Sequence, residues 1–134
     1  KPEAYTERHQ VSVDTVYFHS VIDGMAAVMK PGGTAWSAAI REMEICGKTG
    51  TSQNPHGKDH SLFIGFAPRN NPKIAVAVIV ENAGYGATWA APIASLMMER
   101  FVRGKDVPSN APVLLERMTK PLQPLSHANE QQGD

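Results

Sequence analysis

Apolar residues recur at helical spacing in two stretches of the chain and alternate at strand spacing in three. Phe18, Val21, Ile22, Met25, Val28 and Met29 follow the 3.6-residue period and predict a helix over 13–29. Ser12 is the expected cap with Asp14 in the first turn, and Pro31-Gly32-Gly33 stops the run after Lys30. Residues 34–41 fit a short helix or a loop equally well. Glu44 to Ser52 reads as a strand carrying Gly47 and Gly50, and Ser52 to His60 as a turn-rich link. A second strand runs from Leu62 to Ala67 and ends at Pro68, followed by a tight turn at Arg69-Asn70-Asn71-Pro72. In the third, Lys73 to Asn82, Ile74, Val76, Val78 and Val80 line one face while Ala75, Ala77 and Ile79 line the other. Two apolar faces predict a central strand covered on both sides. Beyond a flexible link at 83–87, a second helix is predicted over 89–103. Thr88 is its cap, Pro92 lies in its first turn, Ile93, Leu96, Met97 and Phe101 form its apolar stripe, and Gly104 is its stop.

The flanks carry no such period. Residues 1–11 form a polar lead-in, and 105–134, with Pro108, Pro112, Pro121 and Pro124, read as an extended or mobile tail in which Val113-Leu114-Leu115 docks as a short turn. The organised unit is therefore expected over 12–104. Links of roughly eight and five residues between the strands give antiparallel hairpins rather than parallel crossovers. The class is α+β: an antiparallel sheet of about three strands flanked by two helices.

Charge narrows the functions. Thirteen Lys and Arg against thirteen Asp and Glu among 134 residues leave no net positive charge for nucleic acid, and no nucleic-acid partner is expected. Ten prolines and eleven glycines exclude a coiled coil. Cys46, the single cysteine, makes neither an internal disulfide nor a zinc cluster. No apolar run approaches the ~18 residues of a membrane span. Lys1-Pro2-Glu3-Ala4 lacks the apolar core of a signal peptide, so the chain is expected to be cytosolic or to follow an N-terminal part that has been removed.

Gly47-Lys48-Thr49-Gly50-Thr51 is the most conspicuous local motif. A phosphate-cradling loop would need a glycine where Glu42 stands and a helix directly after Thr49, where no helical period exists. The other reading is the Lys-Thr-Gly strand of serine acyl-transferases that act on D-Ala-D-Ala peptides or β-lactams. Along a strand Lys48 and Gly50 face one way, and Thr49 and Thr51 the other. Two hydroxyls two residues apart can both donate to a substrate carboxylate. Lys48 adds positive charge and can hold a neighbouring hydroxyl's proton. Gly50 lets a peptide lie against the strand as an added strand, and the Thr51 N–H can point at a developing oxyanion.

Weaker signals weigh toward structure. Pro55 and Gly57 place His56 and His60 in a hairpin rather than on a metal-binding helix, so no metal and no cofactor is expected. Asp59 and His60 begin the strand beside Lys48 and are candidates to border a cleft. Tyr85 and Trp89 flank the glycine link; packing at the helix entry outweighs a cleft-lining place, for which Tyr85 is kept as a candidate. Cys46 suits a small core residue better than a nucleophile, and Asp23 a surface contact better than a catalyst.

Ordered blocks between Ser12 and Arg103 resemble the C-terminal part of the transpeptidase domain of class B penicillin-binding proteins, with the elongation-specific branch nearest. The blocks are Val21-Ile22-Asp23-Gly24-Met25, Pro31-Gly32-Gly33-Thr34-Ala35, Cys46 to Asn54, His60 to Pro68, Asn71 to Val76, Glu81-Asn82-Ala83-Gly84 and Ala91-Pro92-Ile93. The resemblance implies part of the fold shared by penicillin-binding proteins and serine β-lactamases. It also implies a periplasmic enzyme, held at the inner membrane by an anchor absent here, that cross-links peptidoglycan stem peptides through an acyl-enzyme and binds β-lactams. A membrane glycosyltransferase is the implied partner. By that likeness Lys48 supports the proton relay and Thr51 completes the oxyanion hole, these two being the catalytic positions, while Thr49, Gly50 and Thr51 bind the ligand.

One departure is large. No serine here is followed three residues on by lysine, and Ser-x-Asn occurs only as Ser52-Gln53-Asn54, directly after the Lys-Thr-Gly strand. The nucleophile is therefore expected on a missing N-terminal part of the same protein, and this chain alone is expected to be inactive. Faces that pack that part would be left open or covered by another copy. A noncatalytic assembly module that kept the sheet, and a β-lactamase-related hydrolase, remain alternatives.

Overall fold

The computed structural model describes residues 10–104 and 111–119. Helix α1 spans Thr15–Ala27, a single 3-10 turn follows at Trp36–Ala38, and strands β1 (Cys46–Ser52), β2 (His60–Ala67) and β3 (Ile74–Val80) come next. Helices α2 (Ala90–Arg103) and α3 (Ala111–Thr119) complete the described chain. The strands form one antiparallel sheet in the order β1-β2-β3. The predicted class and sheet are the ones observed.

Register and burial assign the two faces. Gly47, Thr49 and Thr51 share a face with Ser61, Phe63, Gly65 and Ala67, and with Ile74, Val76, Val78 and Val80. On that face Phe63 is fully buried, and its ring fills the space above both Gly47 and Gly65. A Cβ on Gly47 would lie 2.1 Å from the ring, so only glycine fits there. Burying one such aromatic side chain contributes about 2–3 kcal/mol. Ala90, Ala91, Ala94 and Met98 of α2 join Phe63, Ala67 and Ile45 in the core. Small alanines at helical spacing let the helix approach the sheet closely.

Several expectations are corrected. β3 is the edge of the described sheet, not its centre: Ala75, Ala77 and Ile79 are exposed, Ile79 at 65%. Its two apolar faces give burial potential, but covering the second face requires a neighbour that these residues do not supply. The buried side of α2 is the alanine stripe with Met98, whereas Met97 and Phe101 face outward. Asp14, not Ser12, caps α1, its carboxylate accepting the Val16 N–H at 3.0 Å. Of α1 only Ala26 is buried, while Val16, Tyr17, Phe18 and Val21 are exposed.

The tail expectation fails at 111–119, which form a third helix rather than extended chain. Pro112 occupies the second position of that helix, where its missing N–H costs nothing. Leu114 is buried, and Arg117 donates to the Thr88 carbonyl at 2.7 Å. The rest of the expected tail, and the lead-in through residue 9, lie outside the described residues. Among the described residues no helix is long and apolar enough to cross a membrane.

Candidate active-site groove

β1 forms the other edge of the described sheet, and three segments meet around it. The turn after α1 brings Thr34, β1 brings Lys48, Thr49, Gly50 and Thr51, and the link before α2 brings Tyr85, Gly86 and Ala87. Together they line an open groove of about 530 Å³. Five of the residues singled out by sequence are thus brought together: Lys48, Thr49, Gly50, Thr51 and Tyr85, the last 76% exposed.

The link lies flat on the sheet. A Cβ on Gly86 would sit 2.2 Å from the Leu62 carbonyl oxygen, 2.6 Å from that of Gly50 and 3.1 Å from the Gly50 nitrogen. Gly86 thus lets the chain touch the sheet backbone. The same closeness shows that the main-chain groups of Gly50 turn inward to Leu62, its partner in register. By alternation those of Thr49 and Thr51 turn to the open edge. The Thr49 carbonyl agrees with this, accepting a hydrogen bond from Lys48 Nζ at 2.6 Å. Among the described residues, the groove wall therefore offers outward-turned strand groups that no neighbouring strand takes up, with an ammonium and two hydroxyls on the same edge.

Asp59 and His60 are not in the groove wall. The Asp59 carboxylate accepts the Asn54 N–H at 3.2 Å, and His60 Nδ1 accepts the Asn82 N–H at 3.1 Å. Asn54 Nδ2 also donates to Asn82 Oδ1 at 2.6 Å. These bonds tie the β1–β2 hairpin loop to the end of β3. Strand adjacency suggested a cleft position, but the side chains turn into the loop because its backbone donors need acceptors. With Nδ1 committed, the His60 ring has no lone pair there for a metal. Among the described residues no cluster of three His, Cys, Asp or Glu side chains could hold one.

Behind the groove, α1 is tied to the sheet by charge. Arg69 pairs with Asp23 on α1 and, at 3.1 Å, with Glu44, which also pairs with Lys30 at 3.2 Å. The Arg69 N–H donates to the Glu44 carbonyl at 2.8 Å. The Arg69 hydrogen bond, aided by Lys30, holds the Glu44 carboxyl below its ordinary value of 4.5. Asp23 is thus a structural contact. Cys46 is buried, its Sγ 3.8 Å from the Ile22 carbonyl, and burial pushes its thiol up, the setting of a small core residue.

Sequence reasoning did not single out Thr34, Gly86 or Ala87 for the groove. Pro31-Gly32-Gly33 stops the helix and belongs to a resemblance block, but neither reading assigns Thr34 to the groove; two glycines before a threonine also permit a tight reversal that returns the threonine to the sheet.

A family model described as penicillin binding protein transpeptidase domain matches residues 3–99. The peptidoglycan D,D-transpeptidase MrdA of Haemophilus influenzae is 38% identical over 80 residues, covering 60% of this chain and 12% of that protein. Pseudomonas aeruginosa PBP2, solved in complex with WCK 5153, superposes with a TM-score of 0.64 at 39% identity, over 72% of this chain and 21% of that one. Penicillin-binding protein A of Mycobacterium tuberculosis, solved as an imipenem acyl-enzyme, gives 0.54 at 33% identity over 67% of this chain and 20% of that one. The chain therefore spans about a fifth or less of the length of these relatives.

Proposed function

Because the chain belongs to the penicillin-binding protein transpeptidase family, we propose that it is the sheet half of a peptidoglycan D,D-transpeptidase, completed by a Ser-x-x-Lys segment outside these residues. The observation that carries this reading is the lining of one open groove by Lys48, Thr49, Gly50 and Thr51 of β1, an edge strand of the described sheet.

The chemistry follows from the edge. A stem peptide ending in D-Ala-D-Ala lies along β1 as an added strand, over Gly50, where no side chain obstructs it. Its terminal carboxylate accepts from the Thr49 and Thr51 hydroxyls, near the Lys48 ammonium. The serine attacks the penultimate carbonyl, forming an ester, and the terminal D-alanine leaves as the amine takes a proton. The developing oxyanion is stabilised by the Thr51 N–H. An amino group of a second stem peptide then attacks the ester, releasing the serine and forming the cross-link. A β-lactam enters the same groove through its own carboxylate, and the ester it leaves persists. The protein acts on the periplasmic side of the inner membrane, beside a membrane glycosyltransferase. No nucleic acid takes part, and none of these steps uses a cofactor.

Fluorescent penicillin tests this. The complete protein acquires a covalent label, Lys48→Ala and Thr49→Ala reduce it at least tenfold, and this chain alone gives no band. Equal labelling of all three complete proteins contradicts the roles given to Lys48 and Thr49. Rapid hydrolysis of the penicillin in place of trapping would assign a β-lactamase instead.

A further inference from the structure

We propose that Thr34 is a positioning residue for the anionic end of the ligand, acting through the hydroxyl of Thr49; this rests on the transpeptidase reading of the groove. Thr34 lines the groove, and its Oγ1 lies 3.3 Å from Thr49 Oγ1.

The turn that carries Thr34 is clamped on both sides. Before it, the Gly33 N–H donates to the Lys30 carbonyl at 2.8 Å, and a Cβ on Gly33 would lie 2.2 Å from the Ala27 carbonyl oxygen and 2.4 Å from that of Val28. After it, the Ala35 N–H donates to the Val28 carbonyl at 3.0 Å, and Ala35 is fully buried. Residues 33 and 35 are both fixed to the C-terminal end of α1, so the threonine between them is delivered to a set point beside β1. Neither clamp serves the core through Thr34 itself, whose side chain is exposed.

A hydroxyl has one proton and two acceptor lone pairs. When Thr34 donates to Thr49, the proton of Thr49 is free to donate to an anion in the groove, and the first bond polarises the second. Without Thr34, the Thr49 hydroxyl rotates among its wells and can spend its proton on water. Thr34 therefore selects the donating orientation of Thr49. Its effect is specific to ligands that present a carboxylate there.

The test uses the complete protein and two probes, a penicillin and the methyl ester of the same penicillin, and reads the second-order acylation rate constant for each. Thr34→Val keeps the side-chain shape and removes the hydroxyl. The acid-to-ester rate ratio should fall about three- to tenfold, the scale of one neutral hydrogen bond. Thr34→Ser should restore it, and Thr34→Val should add nothing to Thr49→Val. The ratio does not depend on the fraction of protein folded. An unchanged ratio in Thr34→Val, or an additive double variant, overturns the inference while leaving the transpeptidase reading in place. Failure of the wild-type protein to label overturns both.

Discussion

The hydroxyl of Ser61, on β2, accepts the backbone N–H of Ala90 at 3.1 Å and so caps α2 from another element. The same oxygen donates to the Tyr85 carbonyl at 2.9 Å, which pins the groove-lining link to the sheet. Trp89, at the helix cap position, makes no side-chain cap bond, so Ser61 takes over the work of a local cap.

Ser61→Ala leaves a buried N–H and a carbonyl without their hydroxyl. The loss should be about 1–2 kcal/mol, as for other deleted caps and buried hydrogen bonds. Urea denaturation of the chain measures it, and Ser61→Thr offers the hydroxyl in a crowded site. No change in the midpoint for the alanine variant would mean that the cap is not energetically coupled to folding.

Two glycines should respond with opposite sign. Gly47→Ala drives a methyl into the Phe63 ring and should cost about 1–3 kcal/mol. Gly24→Ala, inside α1, meets nothing within 4 Å and should stabilise by about 0.5–1 kcal/mol. Thermal unfolding of the two variants side by side checks both directions.

Acid should act on two carboxylates in opposite ways. Glu99 is buried on α2, its oxygens accept no hydrogen bond among the described residues, and Arg103 Nη1 stands 3.6 Å away. Desolvation raises its pKa above 4.5, outweighing Arg103. The ionised form therefore opposes folding, and Glu99→Gln should stabilise at pH 7, the gain vanishing as pH falls to 4.5 and below. Glu44 is the reverse. Its lowered pKa gives stability that is present above 4.5 and lost as pH falls through the folded value, so Glu44→Gln should destabilise at neutral pH only. The Glu44 pair is partly exposed and open to solvent screening, which limits that effect to about 0.2–1 kcal/mol. Chemical denaturation across pH 3–8 separates the two signs.

Much of the sheet was readable because alternation is a local property: the runs around Thr49, Phe63 and Val78 each declare a strand, and short links force antiparallel order. The Lys48-Thr49-Gly50-Thr51 wall was readable for the same reason, since strand period alone sorts its side chains. What was misread depends on distant partners. Whether β3 is central or an edge is decided by the elements beside it. The cap of α2 comes from Ser61, 29 positions away in sequence. Thr34 reaches the groove only because Gly33 packs on the end of α1. Proline count suggested an extended tail, yet Pro112 stands where a helix tolerates it and Leu114 has a core to enter.

In the proposed transpeptidase the edge of β1 receives the anionic end of a peptide or β-lactam. The most direct measurement is a crystal structure of the complete protein acylated by a penicillin. The ligand carboxylate should lie within about 2.7–3.2 Å of the Thr49 and Thr51 hydroxyls, with the acyl oxygen at the Thr51 N–H. A carboxylate seated away from β1, with Thr49 and Thr51 bonded only to water, would rule out this binding edge.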